Sequence, residues 1–218
     1  MHDEDIAKAI PILQKELEKW EWPIVSQLAK ERNQPFLILI STLLSLRTKD
    51  EVTAQATEKL FPMARTPAEM LRLSPEKIEQ AIYPVGFYHN KARTIIAVSR
   101  ELIDRHHSLV PDTMEQLLAL PGVGRKTANL VLILGFDKEG ICVDTHVHRI
   151  SNRWGYVRTK TPEQTEFALR EKLPRQYWKE INTLLVAFGR RTCLPVSPLC
   201  SSCPLRGYCD RVGVKRSR

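Results

Sequence analysis

The sequence predicts an all-α protein of about ten helices. Thr66, Ser74 and Thr161 each precede a proline, so that the hydroxyl can cap a helix while the proline takes its first position. Apolar residues then recur at helical intervals, and no segment joins strict alternation to a hairpin turn as β-strands would. The apolar segments 36–46 and 128–136 are candidates for helices that are buried on nearly all sides.

Two further patterns extend this prediction along the chain. Capping-box spacing, in which the third residue after the cap bonds back to it, recurs at three helix starts. The pairs are Thr66 with Glu69, Asp112 with Glu115, and Thr161 with Gln164. Segments 83–88 and 120–124 each place a proline and glycine between two helical stretches. We therefore expect two helix–turn–helix units of similar design.

The composition favours a polyanionic partner. The 218 residues include 33 lysines and arginines against 25 acidic residues, which gives a net charge of +8. The length allows a sizeable core in one large domain or two small ones. Such basicity is typical of proteins that bind nucleic acid. The longest apolar stretches are too short to span a bilayer, so no membrane role is predicted.

Four of the five cysteines lie near the end of the chain, separated by six, two and five residues. They are Cys193, Cys200, Cys203 and Cys209. Four thiolates on a short loop can bind one iron–sulfur cluster or one zinc ion, and this spacing leaves both open. Two disulfides would need an oxidising compartment, but no signal peptide precedes the chain, so we expect a cytoplasmic protein.

Segment 120–128, LPGVGRKTA, has the composition of a phosphate-binding turn. A proline ends one helix, two glycines form a tight turn, and the next helix begins at once. Backbone N–H groups in such a turn can hold a phosphate without reading sequence, although a plain helix connector would look similar. The residues expected to contact DNA here are Gly122, Val123, Gly124, Arg125 and Thr127.

Lys126 and Asp144 are the candidate catalytic residues. Lys126 falls in the first turn of a helix, where the macrodipole disfavours an ammonium and so favours a nucleophilic amine. Asp144 can cap the next helix, and an ionised carboxylate can stabilise positive charge that develops on a sugar ring. A phosphate-binding lysine and a purely structural cap are the alternatives. His146 and His148 lack metal-ligand spacing, so we interpret them as packing residues.

Three segments in order, LPGVGRKTA at 120–128, VDTHV at 143–147 and the cysteine array at 193–209, resemble endonuclease III of the helix-hairpin-helix DNA glycosylase superfamily. The resemblance spans nearly the whole chain. It implies two lobes, a six-helix domain at 28–138 and a cluster domain formed by 1–27 and 139–218. It also implies that the cysteines hold a [4Fe-4S] cluster rather than zinc.

The resemblance also implies a reaction. Lys126 attacks C1′ of a damaged pyrimidine nucleotide that has left the helix, displaces the base and forms an imine with the sugar, while Asp144 supplies the essential carboxylate. The imine then permits β-elimination, which makes the enzyme both a glycosylase and an AP lyase. Its substrate is double-stranded DNA with damaged bases or abasic sites, and we expect a cytoplasmic monomer that in a prokaryote would be associated with the nucleoid.

Two positions outside the hairpin complete the predicted DNA interface. Phe87 lies where family members place an apolar wedge that fills the vacated base stack. Arg47 replaces the glutamine that is usual in the family. Since arginine only donates hydrogen bonds and does so bidentately toward guanine, we hypothesise that Arg47 favours lesions opposite guanine. A surface arginine that binds phosphate is the alternative.

Three other functions compete with this interpretation. An adenine-excising glycosylase shares the hairpin, the aspartate and a similar cluster, but its family lacks the hairpin lysine. A thymine or uracil mismatch glycosylase shares the fold and differs in pocket residues that one sequence does not identify. A non-catalytic DNA-binding module would use the cluster and the hairpin for attachment alone.

Overall fold

The computed structural model describes residues 1–20, 22–32 and 34–218, and all regular structure in these ranges is helical. The all-α prediction is therefore confirmed. The α-helices of the described residues are α1 (Asp3–Leu17), α2 (Ile24–Arg32), α3 (Pro35–Ser45), α4 (Asp50–Leu60), α5 (Pro67–Leu71), α6 (Pro75–Ile82), α7 (Tyr88–His106), α8 (Met114–Ala119), α9 (Arg125–Phe136), α10 (Thr145–Arg153), α11 (Pro162–Lys172) and α12 (Ile181–Arg191), and a 3-10 helix covers Arg175–Tyr177. None of them has the length and apolarity needed to cross a membrane.

The chain forms two compact units. The continuous unit comprises residues 24–138, and the discontinuous unit comprises residues 1–23 and 139–218. The predicted boundary at 27/28 falls inside α2, which packs against α3, α4 and α9 and so lies in the continuous unit. Eight of the described helices, α2 to α9, form this unit, because the short helices α5 and α8 add to the longer ones.

Two apolar helices form the core of the continuous unit, as the sequence predicts. In α3 every residue from Phe36 to Leu44 is buried, and in α9 every residue from Thr127 to Ile133 is buried. The two helices pack against each other, and near the end of α9 a Cβ at Gly135 would lie only 3.3 Å from the Cα of Pro35. Each large aliphatic side chain so enclosed stabilises the fold by about 1.5–3 kcal/mol.

The predicted helix starts are confirmed at three sites and wrong at a fourth. The hydroxyls of Thr66, Ser74 and Thr161 each accept a hydrogen bond from the backbone N–H three residues later, and a proline follows each one. Asp112 does not cap α8, because Thr113 takes that role. The carboxylate of Asp112 instead lies 2.7 Å from the ammonium of Lys138, which is a charge-assisted contact.

The discontinuous unit has its own apolar core. Helix α12 packs against both α1 and α10, and α11 packs against α10. Among the described residues, Ile10 of α1, Phe188 of α12 and Trp154 just after α10 are almost fully buried. The unit therefore joins the first helix of the chain to its last third, which carries Asp144 and the cysteines.

Candidate nucleic-acid interface and cysteine-lined cavity

The turn between α8 and α9 requires glycine at position 122. The N–H of Val123 donates to the carbonyl of Leu120 at 3.2 Å and closes the turn. Gly122 has φ +71, and a Cβ there would lie 2.7 Å from Cγ2 of Thr94. Both the backbone conformation and the packing against α7 thus exclude a side chain.

Gly124 presents an open backbone at the start of α9. It is the N-cap residue, without a side-chain cap, and its carbonyl accepts the first helical bond from Ala128 at 2.9 Å. The helix itself supplies no acceptor for the N–H groups of Arg125, Lys126 and Thr127. A Cβ added at Gly124 would meet nothing within 4 Å, so packing does not require glycine here. Because glycine has no side chain, another molecule can come close to this backbone.

The hairpin side chains differ in their exposure. Arg125 and Lys126 are partly exposed in the first turn of α9, as the sequence predicts for Lys126. Val123 and Thr127 are buried, and the side chain of Thr127 is only 1% exposed. The predicted DNA contact of Thr127 is thus limited to its backbone N–H, because the buried face of α9 carries this side chain inward.

The structure brings Arg47 and Phe87 together on the continuous unit. The N–H of Val85 donates to the carbonyl of Ile82 at 2.9 Å, which closes the turn before α7. Phe87 follows with a left-handed φ of 60° and a side chain that is 61% exposed. The guanidinium carbon of Arg47, itself at φ 52°, lies 5.9 Å from the centre of the Phe87 ring. The two predicted contact residues therefore form one exposed cation–π pair.

Sequence reasoning missed Lys91, which binds the two residues that flank Arg47. Its ammonium donates to the carbonyls of Leu44 and Leu46 and to the hydroxyl of Thr48. The signal that could have found it is its place on the apolar stripe of α7, four residues before Ile95. Stripe positions on a buried helix face point their side chains inward whatever their chemistry.

Asp144 caps α10, as the sequence predicts. Its Oδ1 accepts hydrogen bonds from the N–H groups of His146 at 2.8 Å and Val147 at 2.9 Å. The residue is half-buried. Lys126 belongs to the continuous unit and Asp144 to the discontinuous unit, and each is fixed within its own unit at a helix start.

Arg149 connects α10 to the first cysteine. Its Nη2 donates to the carbonyls of Gly189 at 3.2 Å and Cys193 at 2.9 Å, and it lies 3.2 Å from Nδ1 of His146. Burial lowers the pKa of Arg149, while the charges of Cys193 and Asp144 act in the opposite direction. Gly189 permits this contact, because a Cβ there would collide with the His146 ring and with Nη2 of Arg149.

His146 and His148 make packing and hydrogen-bond contacts around α10. Besides the contact of His146 with Arg149, Nδ1 of His148 lies 2.7 Å from the hydroxyl of Thr165 on α11. Burial lowers the pKa of His148, which favours its neutral form. These side chains therefore hold α10 against its neighbours.

All four clustered cysteines line one cavity of about 320 Å³, including space open to solvent. The other described residues that line it are Arg153, Trp154, Phe188, Thr192, Pro198, Leu199, Arg211 and Val214. Nη1 of Arg153 lies 3.4 Å from Sγ of Cys193, and the N–H of Arg211 lies 3.4 Å from Sγ of Cys209. The walls thus combine apolar side chains with donors directed at sulfur.

No disulfide links the cysteines in the described part of the chain. Burial raises the pKa of Cys203 to about 11, and burial likewise raises the pKa of Cys209. The negative charges of the other cysteines add to both shifts, since thiolates that share a cavity repel one another. Within residues 1–20, 22–32 and 34–218, no three His, Cys, Asp or Glu side chains are close enough to hold a metal ion.

The fold and the hairpin place the chain in a known class. The family described as HhH-GPD superfamily base excision DNA repair protein matches residues 40–175, which include both helix–turn–helix units and Asp144. The match covers more than half of the chain, so the chain belongs to the HhH-GPD superfamily of base excision DNA repair proteins.

Comparison with individual relatives narrows this class. The chain is 51% identical to endonuclease III of Thermotoga maritima over 83% of its own length and 84% of that protein. It is 40% identical to endonuclease III of Escherichia coli K12 over 82% and 84% of the two chains. Endonuclease III-like protein 1 of Bos taurus is 43% identical, and 60% of its length is covered. The branch of the superfamily is therefore endonuclease III.

Solved structures agree with this family. A trapped endonuclease III–DNA covalent intermediate, the estranged-adenine complex, matches 97% of both chains with a TM-score of 0.85 and 33% identity. A non-covalent endonuclease III–DNA complex matches equally well, with a TM-score of 0.85. A thermostable thymine-DNA glycosylase at 24% identity and a TM-score of 0.74 shares the fold alone.

Proposed function

We propose that this protein is a DNA glycosylase and AP lyase that removes oxidised or damaged pyrimidines from duplex DNA. The observation that carries the proposal is Lys126 in the first turn of α9, directly after the open backbone of Gly124. A nucleophile at this position stands beside a surface that a DNA backbone can approach. The likeness to a trapped endonuclease III–DNA covalent intermediate supports a covalent step.

Lys126 is the nucleophile of this reaction. Its neutral amine attacks C1′ as the glycosidic C–N bond breaks, and the bond electrons leave with the base, which takes up a proton. Opening of the sugar ring gives an imine between Nζ and C1′. The imine acidifies the C2′–H, and loss of that proton forms a C2′=C3′ double bond and expels the 3′ phosphate. Hydrolysis of the imine returns the lysine.

Asp144 stabilises the positive charge that forms on the sugar while the glycosidic bond breaks. The two N–H groups that bind Oδ1 fix the orientation of the carboxylate before the reaction begins. A carboxylate held in this way needs little reorganisation in the transition state. We assign this role to Asp144 and the nucleophilic role to Lys126.

The two turns of the continuous unit divide the work of DNA binding. The backbone from Gly122 to Thr127 holds a phosphate and fixes the register of the enzyme on the duplex, with Arg125 adding charge. Phe87 enters the base stack after the damaged nucleotide has left it. Arg47 contacts the base that is left without its partner and favours guanine there.

We assign Cys193, Cys200, Cys203 and Cys209 to a [4Fe-4S] cluster. No three of these side chains are close enough to hold a single metal ion, whereas a cluster binds one thiolate at each of four irons and spreads them over more space. The four cysteines line one cavity, and donors in its wall are directed at the sulfur atoms of Cys193 and Cys209. Burial raises the pKa of Cys203, so its thiolate form needs positive charge close by. Bound iron supplies the positive charge that four thiolates need. Base excision and β-elimination transfer no electron, and a cluster bound by these cysteines would hold the loop from 194 to 208 in shape. Iron and sulfide analysis of the purified protein tests this assignment.

Borohydride trapping tests the proposed function. The wild-type protein, mixed with a duplex that contains one abasic site, should form a covalent adduct on reduction, because borohydride fixes the imine. Lys126→Ala should form none, while Lys77→Ala, which removes an exposed lysine from α6 of the same unit, should react like the wild type. A wild-type protein without an adduct would contradict the proposal.

A further inference from the structure

Lys91 occupies an unfavourable place for a charged residue. It is the fourth residue of α7, it is only 9% exposed, and among the described residues it is the one buried lysine. Burial and the nearby charge of Lys126 lower its pKa to about 8. An apolar side chain would fill this position at lower cost to the fold, since a buried charge is costly unless it is well paired.

Three acceptors satisfy the three N–H donors of the ammonium. Nζ lies 2.7 Å from the carbonyl of Leu44, 2.5 Å from that of Leu46 and 2.9 Å from the hydroxyl of Thr48. Leu44 belongs to the last turn of α3, where carbonyls lack helical partners and the macrodipole is negative. The ammonium therefore anchors the end of α3 and the two residues that flank Arg47.

Thr48 extends this anchor to the turn before α7. Its hydroxyl, besides its bond to Lys91, accepts a hydrogen bond from the N–H of Gly86 at 3.3 Å. The two turns also touch directly, since a Cβ at Gly86 would lie 2.8 Å from the carbonyl oxygen of Arg47. Arg47 therefore lies between two residues that bind Lys91, and Phe87 directly follows Gly86. Both Arg47 and Phe87 have a left-handed backbone.

We propose that Lys91 is a positioning residue for base extrusion, which holds the turns of Arg47 and Phe87 in the conformations that bring the two side chains together. The inference rests on the proposed function. Left-handed backbone is strained for both residue types, so it persists only where surrounding contacts impose it. The buried ammonium supplies three of those contacts from one atom.

The test compares two substrates in Lys91→Met, which keeps an unbranched side chain only one atom shorter and removes the charge and donors. Excision of a damaged pyrimidine from a fully paired duplex requires extrusion and should slow by roughly tenfold or more. Borohydride trapping on an abasic site, which has no base to extrude, should fall by less than about threefold. Affinity for undamaged duplex should stay at the wild-type value, because the turn between α8 and α9 is untouched.

Two further variants separate positioning from folding. Thr48→Val removes the shared hydroxyl without a change in charge and should show the same pattern at smaller magnitude. Lys77→Met, an exposed lysine on α6, is the matched control and should behave as the wild type. A 2-aminopurine placed opposite the lesion should report the extruded state through a rise in fluorescence that Lys91→Met lacks.

The outcomes are distinct. A wild-type protein that gives no adduct with abasic DNA defeats the proposed function itself. If the wild type reacts, the inference about Lys91 is overturned when Lys91→Met or Thr48→Val excises at the wild-type rate. It is also overturned when Lys91→Met loses excision and trapping in equal proportion, or when the loss equals the unfolded fraction measured by thermal melting.

Discussion

The turns before α7 and α9 share one backbone hydrogen-bond pattern and differ in the residue at which each turn ends. Each is closed by an N–H of a valine, Val85 or Val123, that donates to the carbonyl three residues earlier. Neither following helix has a side-chain cap. The turn before α7 ends in an exposed aromatic residue, Phe87, whereas the turn before α9 ends in Gly124 with no side chain.

Under the proposed function, this difference assigns base stacking to one turn and phosphate binding to the other. A side chain at the end of the turn can enter a base stack, and its absence lets a phosphate reach the backbone N–H groups. The first turn also depends on the buried ammonium of Lys91, while the second depends on Gly122 against Thr94. Substitutions should therefore separate the two functions.

The largest expected effect is on the excision rate, from a substitution in the turn before α7. Phe87→Ala should slow excision of a damaged pyrimidine from paired duplex by roughly ten- to a hundredfold, because nothing fills the vacated stack. Single-turnover kinetics would measure this rate. Affinity for undamaged duplex should stay within about twofold, since phosphate contacts supply it. Leu109→Ala, which removes an exposed leucine from the same unit, is the control. An equal loss of affinity in Phe87→Ala would mean that the two turns do not divide the work.

A smaller effect is expected from the glycines of the second turn. Gly122→Ala should destabilise the protein by about 1–3 kcal/mol, because φ +71 and the contact with Thr94 both oppose a side chain. Denaturant titration would measure this change. Gly124→Ala should leave stability within about 0.5–1 kcal/mol of the wild type, since the added methyl meets nothing within 4 Å.

Gly122→Ala and Gly124→Ala also separate effects on stability from effects on DNA affinity. Gly124→Ala should still weaken binding to undamaged duplex by about three- to tenfold, because the methyl stands where a phosphate would approach. Fluorescence anisotropy at fixed salt would measure this affinity. Full affinity in Gly124→Ala would show that the open backbone at the start of α9 does not meet DNA.

The smallest effect concerns the opposite base. Arg47→Gln should reduce the preference for lesions opposite guanine by about three- to tenfold, since glutamine both donates and accepts while arginine pairs bidentately with guanine. Excision rates opposite each of the four bases would measure it. Unchanged ratios among the four rates would leave Arg47 as a phosphate contact.

Local chemistry made much of the fold predictable. The caps Thr66, Ser74 and Thr161 need only their own next few residues, so their helix starts follow from sequence. The prediction that Asp112 caps α8 was wrong because the adjacent Thr113 can cap equally well. Asp112 instead pairs with Lys138, which is 26 residues away along the chain. Competition between neighbouring caps is decided by tertiary contacts.

The candidate site was predictable where a motif is contiguous and unpredictable where it is not. Lys126 and Asp144 lie in short segments with recognisable chemistry at helix starts. Lys91 became visible only through acceptors more than 40 residues earlier, from Leu44 to Thr48. The burial of Thr127 likewise depends on which face of α9 packs inward.

Gly189 couples the positions of α12 and α10 in the discontinuous unit. Because α12 approaches the His146 ring so closely there, the helix that leads into Cys193 cannot shift without displacing the helix that Asp144 begins. Heat or oxidation that loosens the cysteine loop should therefore also displace the carboxylate of Asp144. The turn before α9 lies in the other unit, so on the proposed function such a molecule would lose strand cleavage before it lost DNA binding.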